Sequence, residues 1–363
     1  MPMSYYHSKY GKSRNRKKSR FRKLVLALLL ALIILAGAAG FLLYKVIFQP
    51  NVWTPDKKEV FIYIPTGADF AAVKKVLYEK GLIIHRENFE WLAHKKKYTT
   101  NVKPGKYGIQ HGLSNDQLIN LLRSGQQTPV DLTFNNMRDV RQLAGRVAQQ
   151  IEADSLSIVT LLHDSAYIAM LGFTPTNLPS LFIPNTYEFY WTTDAEGFVS
   201  RMLQEYRKFW TESRRNKARE TGLSETEVSI LASIIDKETN MNDEKAAIAG
   251  VYMNRLKYGW KLQADPTLVF ALGDFNIRRV LDVHKLVDSP YNTYKYAGLP
   301  PGPITIPSIA SIDAVLNYQK HAFFFFCAKD DFSGYHVFAR SNLEHEANAV
   351  RYRRALDRAR IMK

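Results

Sequence analysis

The chain has 363 residues, 46% hydrophobic and 12% aromatic, enough to bury a sizeable core in two or three domains and too apolar for an intrinsically disordered protein. Its formal charge of +16 invites a nucleic-acid reading, but nine of those charges sit in the first 23 residues, which hold no acid, and the rest of the chain carries only +7. A single cysteine, Cys327, excludes an internal disulfide, so the core alone must hold the fold.

The basic arm, residues 1–23, runs directly into residues 24–44, an uncharged and almost wholly apolar stretch. As a helix it would span roughly 31 Å at 1.5 Å per residue, matching a bilayer core. A cleavable signal peptide is the rival reading, because Ala36-Gly-Ala38 offers small residues. The run is longer than an ordinary signal core and continues apolar through Phe41-Leu-Leu-Tyr44, so an uncleaved transmembrane helix is expected. The positive-inside rule then keeps the arm in the cytoplasm and exports everything beyond Gln49. The arm reads as a topology signal, and nucleic acid is not expected as a partner of the exported part.

Residues 45–58 read as a tether in which Pro50 and Pro55 block a long helix. A small α/β module, residues 59–130, is expected next. It has a strand over 60–64, then a helix over 68–80 with Phe70, Val73 and Leu77 inward and Gly81 as its stop. A second helix over 88–97, a strand at 103–109 and a third helix over 114–123, ended by Gly125, complete it. Residues 129–134 and a helix over 138–153 lead into the remainder, 131–363. There, 182–189 is a turn-rich aromatic cluster, 195–220 reads as one mixed-charge helix with a solvated face, and 323–328 reads as a buried strand holding Cys327.

The most informative segment begins at Ser224, which with Glu227 forms a capping box opening a helix. Val228, Leu231 and Ile235 mark its buried stripe at spacings of three and four, and Glu238 is the next position on that stripe. A carboxylate on an apolar face loses solvation for its charge, which raises its pKa and lets it carry a proton near neutrality, as a general acid must. Taken alone, the pattern is better read as a helix whose stripe gives out, because helix ends are commonly polar. Asp236 and Lys237 are turned away from the stripe and read as solvated. A second helix follows, capped by Asn242 and running to Lys257, with Ile248, Tyr252 and Leu256 on one face and Gly259 as its stop. From there to Ser308 the chain is rich in Gly, Pro, Asn and Tyr, a loop long enough to suggest function.

Several segments could converge on Glu238: Gln263-Ala-Asp265-Pro-Thr267, Tyr291-Asn292-Thr-Tyr294 and Gly298-Leu-Pro-Pro-Gly302. Together with Leu231-Ala-Ser-Ile-Ile-Asp-Lys-Glu238-Thr and Val251-Tyr-Met-Asn254-Arg-Leu256, in this order, they closely resemble the endolytic murein transglycosylase family, also called YceG-like or MltG. The resemblance covers about residues 58–350. It implies an α+β chain with a single N-terminal transmembrane helix, a small LysM-like peptidoglycan-binding module and a lysozyme-like, mostly helical catalytic domain with long loops. It also implies that Glu238 is the catalytic acid/base. The family often carries Glu-Gly ahead of Pro-Asp-Thr-Tyr; here Pro179-Ser180 precede Pro184-Asn-Thr-Tyr187, which removes that upstream acid and leaves Glu238 as the carboxylate of choice.

A glycosidase that uses water ordinarily needs two carboxylates. A lytic transglycosylase uses the C6 hydroxyl of its own substrate, so one residue can serve both proton transfers, with no metal or other cofactor. Substrate-binding candidates are Gln263, Asp265, Tyr291, Asn292, Tyr294 and Asn254, each with a bracing role as its plain alternative. Arg255 could bind a peptide carboxylate or meet the helix dipole. His336, Glu344 and His345 are too loosely spaced to suggest a metal site. The expected partners are peptidoglycan glycan strands, the inner membrane and cell-wall synthases of the penicillin-binding type. The competing readings are a noncatalytic peptidoglycan-binding scaffold for such synthases and a hydrolase pairing Glu238 with Asp265.

Overall fold

The computed structural model describes residues 1, 3, 13–277 and 279–359; residues 2 and 4–12 of the expected basic arm lie outside the described residues. The chain divides into two compact units, Met1–Thr128 and Pro129–Lys363.

The first unit opens with α1 (Ser13–Phe48). Its stretch Arg20–Phe48 is long and apolar enough to cross a membrane, and none of its most apolar window is buried against protein. Strand β1 (Val60–Ile64) is followed by α2 (Phe70–Glu79), α3 (Arg86–Lys95), β2 (Gly105–Ile109) and α4 (Asn115–Ser124). β1 and β2 pair antiparallel with Val60 opposite Ile109 and Ile64 opposite Gly105. The alternation of the strand puts Ile62 and Ile64 in the core and leaves Phe61 and Tyr63 exposed. Val73, Leu77, Phe89, Tyr107, Leu118 and Leu122 complete that core. Ser114 and Gln117 close a capping box at the start of α4, and Gly125 ends it in the left-handed region.

The stretch 45–58, expected as a tether, is built into this unit. α1 continues to Phe48, and Asn51, Val52 and Thr54 are buried. The backbone nitrogens of Asn51 and Val52 both donate to Leu113 O, and Ile84 N donates to Asn51 O. The Asn51 side chain bonds both backbone groups of His85 and the Asn115 carboxamide, and Asn115 in turn donates to Val46 O in the last turn of α1. Pro50 stops the helix as expected, but a proline leaves bridge pairing open to its neighbours, and these residues use it.

The second unit begins with β3 (Val130–Phe134), α5 (Val140–Ala148), α6 (Ser155–Leu161), α7 (Ser165–Met170) and β4 (Asn185–Phe189). β3 pairs antiparallel with β4, so the aromatic cluster at 182–189 contains a strand as well as turns. The helix expected over 195–220 is two: α8 (Ala195–Phe209) and α9 (Glu212–Thr221). Trp210, fully buried, turns the chain inward between them, and the Thr211 hydroxyl caps the new helix start. α10 (Glu225–Glu238) and α11 (Lys245–Lys257) follow, then α12 (Asp265–Leu272) inside the stretch expected as loop, α13 (Ile309–Leu316), the hairpin of β5 (Phe325–Ala328) with β6 (His336–Ala339), and α14 (Asn342–Arg358).

α10 is the centre of this unit. Every residue from Val228 to Asp236 is buried, and the helix packs against α9, α11, α12 and α13. Burial of each large aliphatic side chain, such as Leu231, Ile234 and Ile235, contributes roughly 1.5–3 kcal/mol, so the helix end that carries Glu238 is strongly held. Asp236, expected as solvated, is buried for a specific reason. Its Oδ1 accepts from Lys245 Nζ at 2.9 Å and from the hydroxyls of Ser308 and Ser311, while Oδ2 accepts from Ser308 N. This ties the C-terminus of α10 to the N-termini of α11 and α13.

Candidate active site

Glu238 is the last residue of α10, beyond which Thr239 is extended. It sits where the helix dipole is negative, which opposes a carboxylate charge. Burial pushes its pKa up to about 7; the Asp265 charge adds to the rise, while a hydrogen bond from Tyr252 and the Arg255 charge oppose it. Tyr252 OH lies 2.5 Å from Glu238 Oε1, and burial holds its own pKa well above the usual phenol value. Tyr252 therefore stays protonated and donates. With Oε1 engaged, the second carboxyl oxygen is the one available to carry an exchangeable proton.

Two clefts meet at this carboxyl. One, of about 430 Å³, runs past Arg138, Phe270, Phe275 and Ile304; the other, of about 390 Å³, runs past Tyr252, Arg255, Phe325 and His345. Glu238 and Asp265 line both, so the acid sits where a groove continues in two directions. Arg138 lies over the Phe275 ring at 4.0 Å and forms part of the first wall.

The loops that frame the groove clamp one another. Gln263 N donates to Thr293 O, Ala264 N to Thr293 Oγ1, and the Thr267 and Thr293 hydroxyls are 2.8 Å apart. That seats Asp265 in the first turn of α12, where Tyr294 OH donates to its Oδ1 at 2.5 Å. Burial and this bond raise the Tyr294 pKa, keeping it a donor. Gln263, exposed and with a φ of +52°, also lines the second cleft.

Three further sequence candidates, Asn292, Tyr291 and Asn254, lie off the groove. Asn292 is fully buried, its amide donating to Lys285 O and Val287 O and its oxygen accepting from Tyr294 N and Lys295 N, so it braces the loop. Tyr291 packs its ring against Phe270, tilted by 52° with centroids 4.7 Å apart, behind the wall. Asn254 faces another cleft and spends its amide on His321 O and Phe323 O. Arg255 neither reaches solvent at a helix end nor waits for a peptide: Nε donates to Phe324 O and Nη1 to Leu262 O. His336 bonds Glu244, Glu344 accepts from Arg340 N, and only His345 of that trio reaches the groove. Cys327 is half-buried rather than buried, and burial raises its thiol pKa, which disfavours a thiolate.

Sequence reasoning passed over Tyr252 as an apolar-face residue. The available signal was its hydroxyl, since a buried tyrosine ordinarily needs a partner for it. It also passed over Phe325, Phe326, Asn342 and Glu346, which come from the C-terminal hairpin and helix and give no local sign of where they fold back.

Gly302 shows how closely the Gly-Leu-Pro-Pro-Gly loop approaches its neighbours. A Cβ there would fall 1.9 Å from Thr176 O and 3.0 Å from Tyr291 OH. Gly302→Ala is expected to displace the loop from behind Tyr291, lowering thermal stability by about 1–3 kcal/mol as overpacking does, measurable as a fall in Tm. An unchanged Tm would show that the loop yields freely.

The YceG-like family profile matches residues 62–351. The chain is 29% identical over 336 residues to a protein named endolytic murein transglycosylase from Bacillus subtilis, covering 88% of this chain and 91% of that one. It is 27% identical over 357 residues to a protein of the same name from Streptococcus pneumoniae serotype 2, covering 89% of this chain and 64% of that longer one. The crystal structure of a YceG-like protein from Listeria monocytogenes is also similar, with a TM-score of 0.52 and 26% identity over 80% of this chain and 99% of that one.

Proposed function

Because the chain belongs to the YceG-like family, we propose that it is a membrane-anchored endolytic peptidoglycan lytic transglycosylase, the activity for which its Bacillus and Streptococcus relatives are named. The observation that carries this reading is Glu238: a proton-carrying acid at the junction of two clefts, with one oxygen engaged by Tyr252. A groove leaving the acid in both directions suits cleavage inside a strand, where sugars continue on each side of the bond.

In the reaction, Glu238 gives its proton to the bridging oxygen as the bond between that oxygen and C1 of the muramoyl sugar breaks. The C6 hydroxyl of the same sugar attacks C1, and the Glu238 carboxylate takes the hydroxyl proton. The products are a 1,6-anhydromuramoyl end and a free hydroxyl on the departing sugar, with no water consumed and the enzyme returned to its starting protonation state. Asp265, anchored by Tyr294, supplies negative charge near the oxocarbenium-like centre, and Gln263, exposed on the wall of the second cleft, is placed to bind substrate hydroxyls or amides. No cofactor takes part.

The architecture is assigned in the same way. Residues 1–23 form a cytoplasmic arm, 24–44 cross the inner membrane, 59–130 are a LysM-like module and 131–363 a lysozyme-like catalytic domain outside the cytoplasm. The unburied apolar stretch Arg20–Phe48 supports the anchor. Confinement near the membrane favours newly made strands and places the enzyme beside cell-wall synthases, where it would terminate glycan elongation.

Mass spectrometry of the products separates this reading from hydrolysis by Glu238 with Asp265: anhydro ends are lighter than reducing ends by one water. Binding of glycan without any cleavage would instead favour a scaffold. Tyr252→Phe tests the oxygen assignment. The bond it removes favours the carboxylate, so its loss raises the Glu238 pKa, and the alkaline limb of the pH–rate profile is expected to move up by about one unit. A limb that stays in place would show that Tyr252 does not set the proton affinity.

A further inference from the structure

Beyond the second cleft lies a chain of aromatic rings that the reaction does not use. Gly259, with a φ of +69°, ends α11 in the left-handed region, and Trp260 N folds back to Arg255 O, so that Tyr258 and Trp260 flank the turn and both meet the Phe324 ring. Both are exposed, at 63% and 45%. Trp260 lies 4.9 Å from Phe324 and 6.0 Å from Phe325, and Tyr258 lies 5.5 Å from Phe324. Phe325 is at once the inner end of this chain and a wall of the Glu238 cleft, where it stacks on His345 at 5.3 Å. At the outer end, Tyr258 and Phe324 border another cleft, of about 750 Å³, that also carries Glu220, Lys257 and Lys320.

Resting on the catalytic reading, we propose that the Tyr258–Trp260 ridge is a distal saccharide subsite that carries the glycan strand out of the Glu238 cleft and into the polar cleft beyond it. The argument is one of continuity and chemistry. A strand cut internally must leave the catalytic cleft still bonded to further sugars, and Phe325 makes the ridge the next surface along one exit. Pyranose rings present apolar C–H faces that stack on aromatic faces, while their edges need polar partners, which the cleft beyond supplies. Lys257 and Lys320 complement the carboxylates of stem peptides carried by the same strand. An exposed tryptophan set among other rings is otherwise a cost in hydration and a liability for aggregation.

The test uses the full-length protein in detergent with peptidoglycan strands of defined length. On long strands, Trp260→Ala is expected to raise KM about tenfold with kcat unchanged, as loss of one or two ring contacts would, whereas KM for a tetrasaccharide that spans only the scissile bond stays the same. Trp260→Phe, which keeps a stacking face, should restore most of the affinity. An unchanged KM on long strands, or an equal rise on the tetrasaccharide, would overturn the subsite. Binding of uncut long strands in a Glu238→Gln background, with and without Trp260→Ala, reads the ridge independently of chemistry. There a tenfold loss of affinity supports the subsite and equal affinity removes it. Absence of anhydro ends from the wild type would refute the catalytic reading and leave this binding comparison to decide the ridge.

Discussion

Glu238→Gln is expected to lower the rate of anhydromuropeptide release from peptidoglycan by a factor on the order of 10³, the range that loss of a positioned general acid produces. Gln keeps the shape of the side chain and can still accept the Tyr252 hydrogen bond, but it has no proton to give the leaving oxygen. The same substitution has a stability consequence of opposite sign. The unfolded glutamate titrates near 4.5 and the folded one near 7, so between these values the unfolded state releases its proton first and stability falls as pH rises. Above pH 7 the folded protein carries the full cost of the buried charge, at most on the order of 3 kcal/mol since the side chain keeps one face open to the groove. Glu238→Gln should therefore melt higher than the wild type at pH 8 and nearly equal to it at pH 4.5. An inactive variant that also melted lower at pH 8 would mean that the glutamate supports the fold rather than the chemistry.

The second large effect is expected at Asp236. Its carboxylate and the Lys245 ammonium are 2.9 Å apart with side chains no more than 6% exposed, so removing one partner strands the other charge in the interior. Asp236→Ala should cost about 3–5 kcal/mol, and the Tm of this unit should fall by about 6–20 °C. Lys245→Met should cost less, because Asp236 keeps its bonds from Ser308 and Ser311. The double variant Asp236→Leu with Lys245→Met should recover much of the loss in thermal denaturation, since the buried charges disappear together. Asp236 precedes Glu238 by half a turn, so the single variant should also reduce turnover in the fraction that remains folded. A Tm unchanged in Asp236→Ala would show that the pair contributes nothing to holding the helix end.

These two acids, two residues apart, mark how far the sequence could be read. The capping box of Ser224 and Glu227, the stripe from Val228 to Ile235 and the position of Glu238 at its end are local features, and α10 has them. The same stripe misplaced Asp236, because a helix enclosed on every side has no solvated face for periodicity to identify. The expected single helix over 195–220 failed at Trp210, whose burial among distant side chains outweighs continuation of the helix. Among the substrate-binding candidates, Asp265, Tyr294 and Gln263 reach the groove, whereas Asn292, Tyr291 and Asn254 brace what surrounds it. Residue type alone could not separate the two groups, since an amide that binds sugar and an amide that closes a loop satisfy the same hydrogen-bond inventory.

The acid, its helix, the apolar stretch near the N-terminus and the order of the motifs were legible in the chain because each depends on neighbours within a few turns. The partner that occupies Oε1, the meeting of two clefts at one carboxyl and the wall supplied by β5 and α14 came only with the folded chain. Their residues are separated from Glu238 by 14 to more than 100 positions. Such contacts are chosen by how whole elements pack, and burial, which sets the proton affinity of Glu238, is a property of everything packed around it.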